Sequence, residues 1–203
     1  MIRVTSALRQ HAAALRLLLV MTVLLGLVYP LVVTAASQVV LRSRADGSLV
    51  TKGSAVVGSS LIGQLFVDAK GSPLPQYFQS RPSAAGDGYD PTSSSASNLG
   101  PENEDLVKAV NDRRAAVAAL EDVDPAAVPA DALTASGSGL DPDISPEYAM
   151  IQVQRVAAAR RLPAADVRRL VQTHRSGRDL GFVGEPTVNV LRLNLALDAL
   201  AQG

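Results

Sequence analysis

A short loop of small residues is the part of the sequence best suited to chemistry. It reads Ser136, Gly137, Ser138 and Gly139. Successive small residues can turn backbone N–H groups toward an anion, as phosphate-binding nests do. Either serine could also be the nucleophile of an exported hydrolase, but that needs a histidine and a carboxylate nearby. Only His174 is available in the soluble part, and we expect it at a helix C-terminus, so a tight turn is the favoured interpretation of the loop.

The composition excludes several other kinds of site. The chain has no Cys and two His, which excludes thiolate and multi-histidine metal sites, so we expect no bound metal. It contains no GxxxxGK[ST] phosphate loop, no G-x-S-x-G elbow and no DKTG phosphorylation sequence. Basic and acidic residues both number 19 among 203 residues, and this balance argues against a nucleic-acid partner.

An apolar segment near the N-terminus indicates a membrane protein. No formally charged residue occurs between Leu17 and Leu41, a stretch long enough to cross a bilayer core of roughly 30 Å as a helix. Arg3, Arg9 and Arg16 lie on its N-terminal side, and the positive-inside rule keeps that end in the cytoplasm. We therefore expect a single-pass protein of the cytoplasmic membrane with its N-terminus inside.

Two interpretations of this segment remain open, an uncleaved anchor and a cleaved secretory signal. Val33, Thr34 and Ala35 could form a small-residue cleavage site, but the apolar run exceeds the usual length of a signal core. Pro30 can be tolerated in a membrane helix if the freed carbonyl finds another partner. With the anchor preferred, the predicted organisation is a cytoplasmic segment at residues 1–14, a transmembrane helix at residues 15–41 and an extracytoplasmic domain at residues 42–203.

The soluble part is predicted to be one mixed α/β domain with a helical C-terminal half, so the fold class is α+β. Short strands are expected at residues 55–57 and 61–66. Ser145 is a good N-cap, with Pro146 at the first helical position. The predicted helices cover residues 102–120, 146–161, 163–174 and 186–200.

Residues 70–98 are rich in Ser, Pro and Gly and can hardly hold regular structure for long. Their rings and arginine, at Tyr77, Phe78, Arg81 and Tyr89, indicate that the segment is pinned to something, and we expect a surface that a partner orders. Because aromatics make up only 3% of the chain, Ala, Val and Leu must fill the core.

Several short sequence motifs, in order along the chain, resemble those of the C subunit of the Kdp potassium-transporting ATPase of prokaryotes. They are GSSLIGQ from Gly58, YF from Tyr77, RPSA from Arg81, YDP from Tyr89, SNLGP from Ser97, VPADALTASGSGLDP from Val128, Gln152 with RVA from Arg155 and AR from Ala159, GEP from Gly184, VNVL from Val188 and LNLALD from Leu193. The departures are Asp90, Asp143 and Gln154, where the family commonly has other residues.

The resemblance implies a single-span, non-catalytic accessory subunit needed for assembly of the pump. Its implied partners are a potassium-selecting channel-like subunit, a P-type ATPase subunit and a very small membrane subunit. The family is described as a catalytic chaperone that raises the ATP affinity of the ATPase subunit, with ATP as its own ligand. The expected ATP contacts are Ser136, Gly137, Ser138, Gly139, Gln152 and Arg155, although the predicted topology places them where ATP is scarce. The alternative is a membrane-anchored extracytoplasmic binding module unrelated to transport.

Overall fold

The computed structural model describes residues 2–200, with side chains from residue 6 onward. The chain divides into two compact units, of which the first ends at Leu49 and the second begins at Val50.

The first unit is helical. Helix α1 (Ile2–Val23) continues through a π-helical turn (Leu24–Val28) into α2 (Tyr29–Val40), and a short helix α3 (Arg42–Ala45) follows. The span Ser6–Val40 has 35 residues, and none of its most apolar stretch is buried within the chain. An apolar helix with no protein covering its side chains is what a bilayer would cover, as the sequence predicted. The helix also extends well before residue 15, where the predicted span begins.

A π-helical turn explains how the helix accommodates Pro30. Proline lacks the N–H that a helix needs, and its ring collides with the carbonyl four residues earlier, here that of Gly26. The turn Leu24–Val28 ends with the N–H of Tyr29 bonded to the carbonyl of Leu24, five residues back. This wider spacing is typical of a π-bulge, which lets a helix absorb a local conflict without ending.

From Leu49 to Leu200, the part of the soluble region that the structure describes, there are five strands and four α-helices. Strands β1 (Leu49–Lys52) and β2 (Ala55–Ser59) pair with each other, while β3 (Asp143–Ile144), β5 (Thr187–Asn189) and β4 (Arg175–Ser176) form an antiparallel sheet in the order β3-β5-β4. The helices are α4 (Glu104–Glu121), α5 (Pro146–Arg160), α6 (Ala164–Thr173) and α7 (Val190–Leu200), with 3-10 turns at Pro125–Ala127 and Ala130–Ala132. The mixed α+β fold class is thus confirmed.

Local sequence signals set the helix ends. The side chain of Asn103 caps α4 by accepting from the N–H groups of Asp105 and Leu106. Ser145 caps α5 as predicted, since its hydroxyl accepts from the N–H of Tyr148 at 2.9 Å. His174 lies at the C-terminal end of α6, also as predicted.

Two predicted elements differ from the structure. Residues 61–66 form no strand, because Gly63 lies buried against the Tyr89 ring and donates its N–H to the carbonyl of Leu140. The last helix begins at Val190 rather than at residue 186, because residues 187–189 form the central strand β5 instead. Tertiary contacts override local strand propensity in the first case.

The core is aliphatic, as the scarcity of rings predicted. Helices α5, α6 and α7 contribute most of its fully buried side chains, which include Val153, Val156, Val167, Val171, Leu193 and Leu197. Phe78, from the segment predicted to be a loose surface, is also fully buried among them. Phe78 therefore fixes the middle of this segment to the core of its own domain, whereas the expected surface ordered by a partner stays a prediction.

Candidate functional site: a buried polar network beside a cleft

An irregular segment crosses the core at residues 76–81, outside every helix and strand. Buried backbone polar groups must be paired, and a segment without a strand neighbour needs other partners. Asn194 accepts from the N–H of Phe78 at 2.9 Å and donates to its carbonyl at 3.0 Å. Gln152 does the same for Gln79, at 2.6 and 3.2 Å. Two side-chain amides, one on α7 and one on α5, therefore replace the neighbouring strands of a sheet.

The guanidinium of Arg155 extends this network to helix α4. Its Nε donates to Glu121 at 2.9 Å and one Nη donates to Gln152 at 2.9 Å. The other Nη donates to the carbonyls of Pro75 at 2.7 Å and Tyr77 at 2.9 Å. The Arg155 side chain is 8% exposed and that of Glu121 is fully buried. A planar fork with five donors suits such a junction, because it satisfies several carbonyls and one carboxylate together.

The carboxylate of Glu121 is unusual for its burial. Oε2 is paired with Arg155, but Oε1 is buried without a hydrogen-bond partner in the described part of the chain. Burial raises the pKa of Glu121, and the hydrogen bond and charge of Arg155 act against that rise. Burial also raises the pKa of the Tyr148 phenol, helped by the nearby Glu121 charge. Burial is thus the main cause of both shifts at the end of α4.

A second arginine of α5 bonds to the same segment. Nε of Arg160 donates to the carbonyl of Gln76 at 2.7 Å, and its Cζ atom lies over the Tyr77 ring, 4.6 Å from the ring centre. One Nη donates to Asp198 at 2.8 Å, and Asp198 also accepts from Lys52 at 2.8 Å. Burial pushes the pKa of Asp198 up, but the hydrogen bonds and charges of the two cations outweigh it and hold that pKa below its ordinary value.

The loop of small residues is held by a different part of the chain. Ser83 donates through its hydroxyl to the carbonyl of Gly139 at 2.6 Å. The carbonyl of Ser138 accepts from the hydroxyl of Ser94 at 2.9 Å and from the N–H of Ser95 at 3.0 Å. Gly139 has φ +70°, and a Cβ there would lie 2.6 Å from the carbonyl oxygen of Ser95. The glycine is thus required both by its backbone conformation and by close packing.

The six predicted ATP contacts fall into two groups. Gln152 and Arg155 are bonded to each other inside the network, whereas the hydrogen bonds of the loop run to residues 83–95. Gly137 and Ser138 are exposed, and the buried hydroxyl of Ser136 has no hydrogen-bond partner among residues 2–200. The ATP assignment stays a prediction, since a bound nucleotide would have to join two groups that share no hydrogen bond here.

The hydrolase hypothesis gains nothing from the structure. Nδ1 of His174 lies 2.9 Å from the carbonyl oxygen of Leu170, so the ring is engaged at its own helix terminus. The hydroxyl of Ser138 accepts from the N–H of Leu140 at 3.1 Å, which is the geometry of a turn. These contacts support the interpretation of the loop as a turn between elements.

An open cleft of about 770 Å³ adjoins the network. Its lining is largely apolar and includes Leu65, Pro73, Arg81, Arg113, Val117 and Tyr148. Both arginines are already engaged: Arg81 pairs with Asp141 at 2.8 Å, and Arg113 donates to the carbonyl of Leu133 at 2.8 Å. The exposed carboxylate of Asp87 also lines the cleft, so the largely apolar surface carries one acidic group beside the two engaged arginines. Over the residues searched, no group of three or more metal-ligating side chains is present.

Sequence reasoning missed the partners that complete the network. Glu121, Gln79 and Asn194 were not singled out as site residues, although each is buried. The available signal was Asn194, an amide between two leucines on the apolar face of the last helix. A buried amide in such a position requires a polar partner, which here is the backbone of Phe78.

Comparison with known proteins decides the family. The family model described as "K+-transporting ATPase, c chain" matches residues 11–199. The chain belongs to the KdpC family. A "Potassium-transporting ATPase KdpC subunit" of Kineococcus radiotolerans is 60% identical over 197 residues, covering 97% of both chains. Proteins of the same name from Beijerinckia indica and Mycobacterium bovis BCG are 53% identical over 182 residues and 51% identical over 194 residues.

These matches extend over nearly the full length of the chain and of its relatives. The alignment with the Beijerinckia protein covers 90% of this chain and 89% of that protein. The alignment with the Mycobacterium protein covers 95% of this chain and 99% of that protein. The resemblance of the sequence motifs to the Kdp C subunit is thus confirmed. As a KdpC-family member, the chain is a membrane subunit of a potassium-transporting ATPase, and among its described residues one helix is long and apolar enough to span the bilayer.

Proposed function

We propose that the chain is a non-catalytic accessory subunit that stabilises an ATP-driven potassium import complex and raises the ATP affinity of its ATP-hydrolysing subunit. The observation that carries the accessory role is the internal use of the polar groups. The arginines and amides that could act on a substrate are bonded within the fold, as Arg155 and Gln152 illustrate. A domain whose polar groups bond to one another, carried on a membrane helix, suits a role in assembly.

The partners in this proposal are a potassium-selecting channel-like subunit, a P-type ATPase subunit and a very small membrane subunit. The helix Ser6–Val40 supports lateral association, because its apolar surface is uncovered within the chain. In lipid, helix association depends on packing between such surfaces. The test is co-purification of the pump subunits with the full-length chain from potassium-starved cells. Recovery of the chain alone would contradict the proposal and favour the unrelated binding module.

We place the N-terminus in the cytoplasm and the second unit outside, with the anchor uncleaved. The arrangement of Arg3, Arg9 and Arg16 supports this orientation. Ser138 is exposed and the chain contains no Cys, so a Ser138→Cys variant carries one accessible thiol. A membrane-impermeant maleimide added outside intact spheroplasts should label it fully. Labelling only after the cells are opened would reverse the orientation, and a product trimmed near residue 35 would show a cleaved signal.

Direct ATP binding at Ser136, Gly137, Ser138, Gly139, Gln152 and Arg155 remains a separate proposal. The unpaired hydroxyl of Ser136 and the exposed position of Gly137 support it. The test is titration of the full-length chain in detergent with a fluorescent ATP analogue. A Gly137→Leu variant should abolish binding without disturbing the fold, because a Cβ at Gly137 meets nothing within 4 Å. Binding that is absent, or equal in both proteins, would dismiss this site.

A further inference from the structure

A projecting arm formed by residues 175–185 is unexplained by the accessory role alone. Strands β4 and β5 pair at its base, and every residue from 175 to 185 is exposed. A second pair of backbone hydrogen bonds, both 2.9 Å, joins Asp179 and Val183 and closes the end of the arm. The arm is therefore a hydrogen-bonded hairpin that stands away from the core.

The tip of the arm presents large apolar side chains to solvent. Leu180 is 86% exposed and Phe182 is 74% exposed. The chain has only three Phe, four Tyr and no Trp. Within residues 50–200, Phe182 is the one ring that is exposed, whereas Phe78, Tyr89 and Tyr148 are buried. A ring placed at a tip by a chain so poor in rings is typical of a binding element, since aromatic side chains dominate the energetics of interfaces.

The backbone at the tip strengthens this interpretation. Leu180 has φ +53° and Gly181 has φ +82°, and the N–H of Phe182 bonds to the carbonyl of Asp179. Two successive positive φ angles define a type I′ turn, for which Asn-Gly is the preferred sequence. Leucine is disfavoured in this conformation by its Cβ and disfavoured in water by its side chain. Neither turn formation nor solubility accounts for Leu180, which leaves contact with another molecule.

The charges of the arm indicate what that molecule is. Residues 175–185 carry two arginines and two acids, and Arg178 pairs with Glu185 at 2.6 Å across the base of the tip. Asp179 lies within the turn itself. A loop that inserts into anionic lipid carries net positive charge to gain attraction from the headgroups. This arm has none, so its chemistry fits an uncharged apolar pocket in a protein.

We infer that the arm docks onto another subunit of the ATPase complex, with Leu180 and Phe182 filling an uncharged apolar pocket there. The inference rests on the proposed function, which supplies the complex. The hairpin is already closed in the single chain, so binding orders little additional backbone. The contact would hold the second unit against the pump independently of the membrane helix.

The test places a reporter beside the tip without altering it. Val183→Cys, labelled with a polarity-sensitive bimane, leaves Leu180 and Phe182 intact in a chain that has no other thiol. The labelled chain is reconstituted in nanodiscs, alone or with the pump subunits. Iodide quenching should fall at least 5-fold in the complex relative to the chain alone. Unchanged quenching would overturn the inference, and quenching by brominated lipid would assign the arm to the bilayer instead.

Two variants in the same reporter background provide the specificity control. Leu180→Asn should restore iodide quenching in the complex. It should also weaken the binding of the second unit to the pump subunits about 10-fold or more, because one buried leucine is lost. Asn suits the turn, so the thermal midpoint of the isolated variant should be unchanged or higher. Leu61→Asn, at an exposed leucine outside the arm, should leave quenching as in the parent. Equal effects of the two variants would refute a specific role for the tip.

The design separates this inference from the proposed function. Failure of the parent chain to co-purify with pump subunits would overturn the accessory role, and this inference with it. Co-purification combined with an iodide-accessible reporter would overturn the docking arm alone.

Discussion

Replacing Gln152 by methionine tests the buried network most directly. Methionine has a similar length and leaves no large cavity, so the change removes hydrogen bonds rather than volume. The Gln152 amide satisfies both the N–H and the carbonyl of Gln79 and also accepts from Arg155. Because Gln152 is fully buried, water cannot replace these contacts.

The expected loss follows from the groups left unpaired. Each buried donor or acceptor that loses its partner costs about 1–3 kcal/mol, and Gln152→Met leaves two such groups on Gln79. Arg155 keeps its bonds to Glu121 and two carbonyls, so it adds little. We expect the free energy of unfolding to fall by about 3–4 kcal/mol, a large part of the roughly 5–15 kcal/mol typical of a domain.

The assay is urea unfolding of the full chain in detergent, followed by far-ultraviolet circular dichroism. With a slope of about 1–3 kcal/mol per molar urea, a loss of about 3–4 kcal/mol should move the midpoint by about 1–4 M. Gln154→Met is the matched control, because Gln154 lies on the same helix with its side chain exposed. A loss below about 1 kcal/mol for Gln152→Met, or an equal loss in the control, would refute the assignment of these bonds as the support of residues 76–81.

Three further predictions concern packing, capping and charge. Gly63→Ala should lower stability by about 2–3 kcal/mol, because its Cβ would collide with the Tyr89 ring, whereas Gly137→Ala should change it by less than about 0.5 kcal/mol, since a Cβ there meets nothing within 4 Å. Ser145→Ala should cost about 1–2 kcal/mol through loss of the helix cap. Asp198 has a lowered pKa, so its ionised carboxylate stabilises the fold above the ordinary carboxyl pKa, and this contribution is lost as pH falls. In Asp198→Asn, the free energy of unfolding should therefore depend less on pH in the acid range.

Thermal or urea denaturation checks all three, each with an outcome that contradicts it. Equal stability of Gly63→Ala and Gly137→Ala would show that the Tyr89 ring can move to accommodate a Cβ at Gly63 at no cost in stability. A Ser145→Ala protein as stable as Thr173→Ala, which loses only an exposed hydroxyl bond to its own helix, would deny the cap a role. If the stability of Asp198→Asn falls between about pH 5 and pH 3 as steeply as that of the parent, Lys52 and Arg160 do not stabilise the ionised carboxylate.

The helices were predictable because their signals are local. Ser145 with Pro146 marks the start of α5, and Pro163 marks the start of α6. The sheet was not predictable in the same way, since β3 and β4 have two residues each and β5 has three. Strands this short leave no alternation to detect, and they exist only because residues distant in sequence are brought together.

The site was predictable to the same extent, from local pairs only. Gln152 and Arg155 stand three positions apart and therefore share a helix face, which the sequence reveals. The partner of that face is Gln79, 73 positions away from Gln152, in a segment whose composition predicts a loose loop. Nothing local in residues 70–98 shows that buried amides on two helices will pair with them.

The π-helical turn in the membrane segment has a consequence for how the anchor meets its neighbours. One additional residue in a helix rotates everything that follows by about 100° relative to an uninterrupted α-helix. Side chains spaced at heptad positions across Leu24–Val28 thus no longer share a stripe. The helix therefore presents one packing face before the turn and a differently oriented face after it. Two neighbouring helices can thus pack against this one helix at two depths of the bilayer.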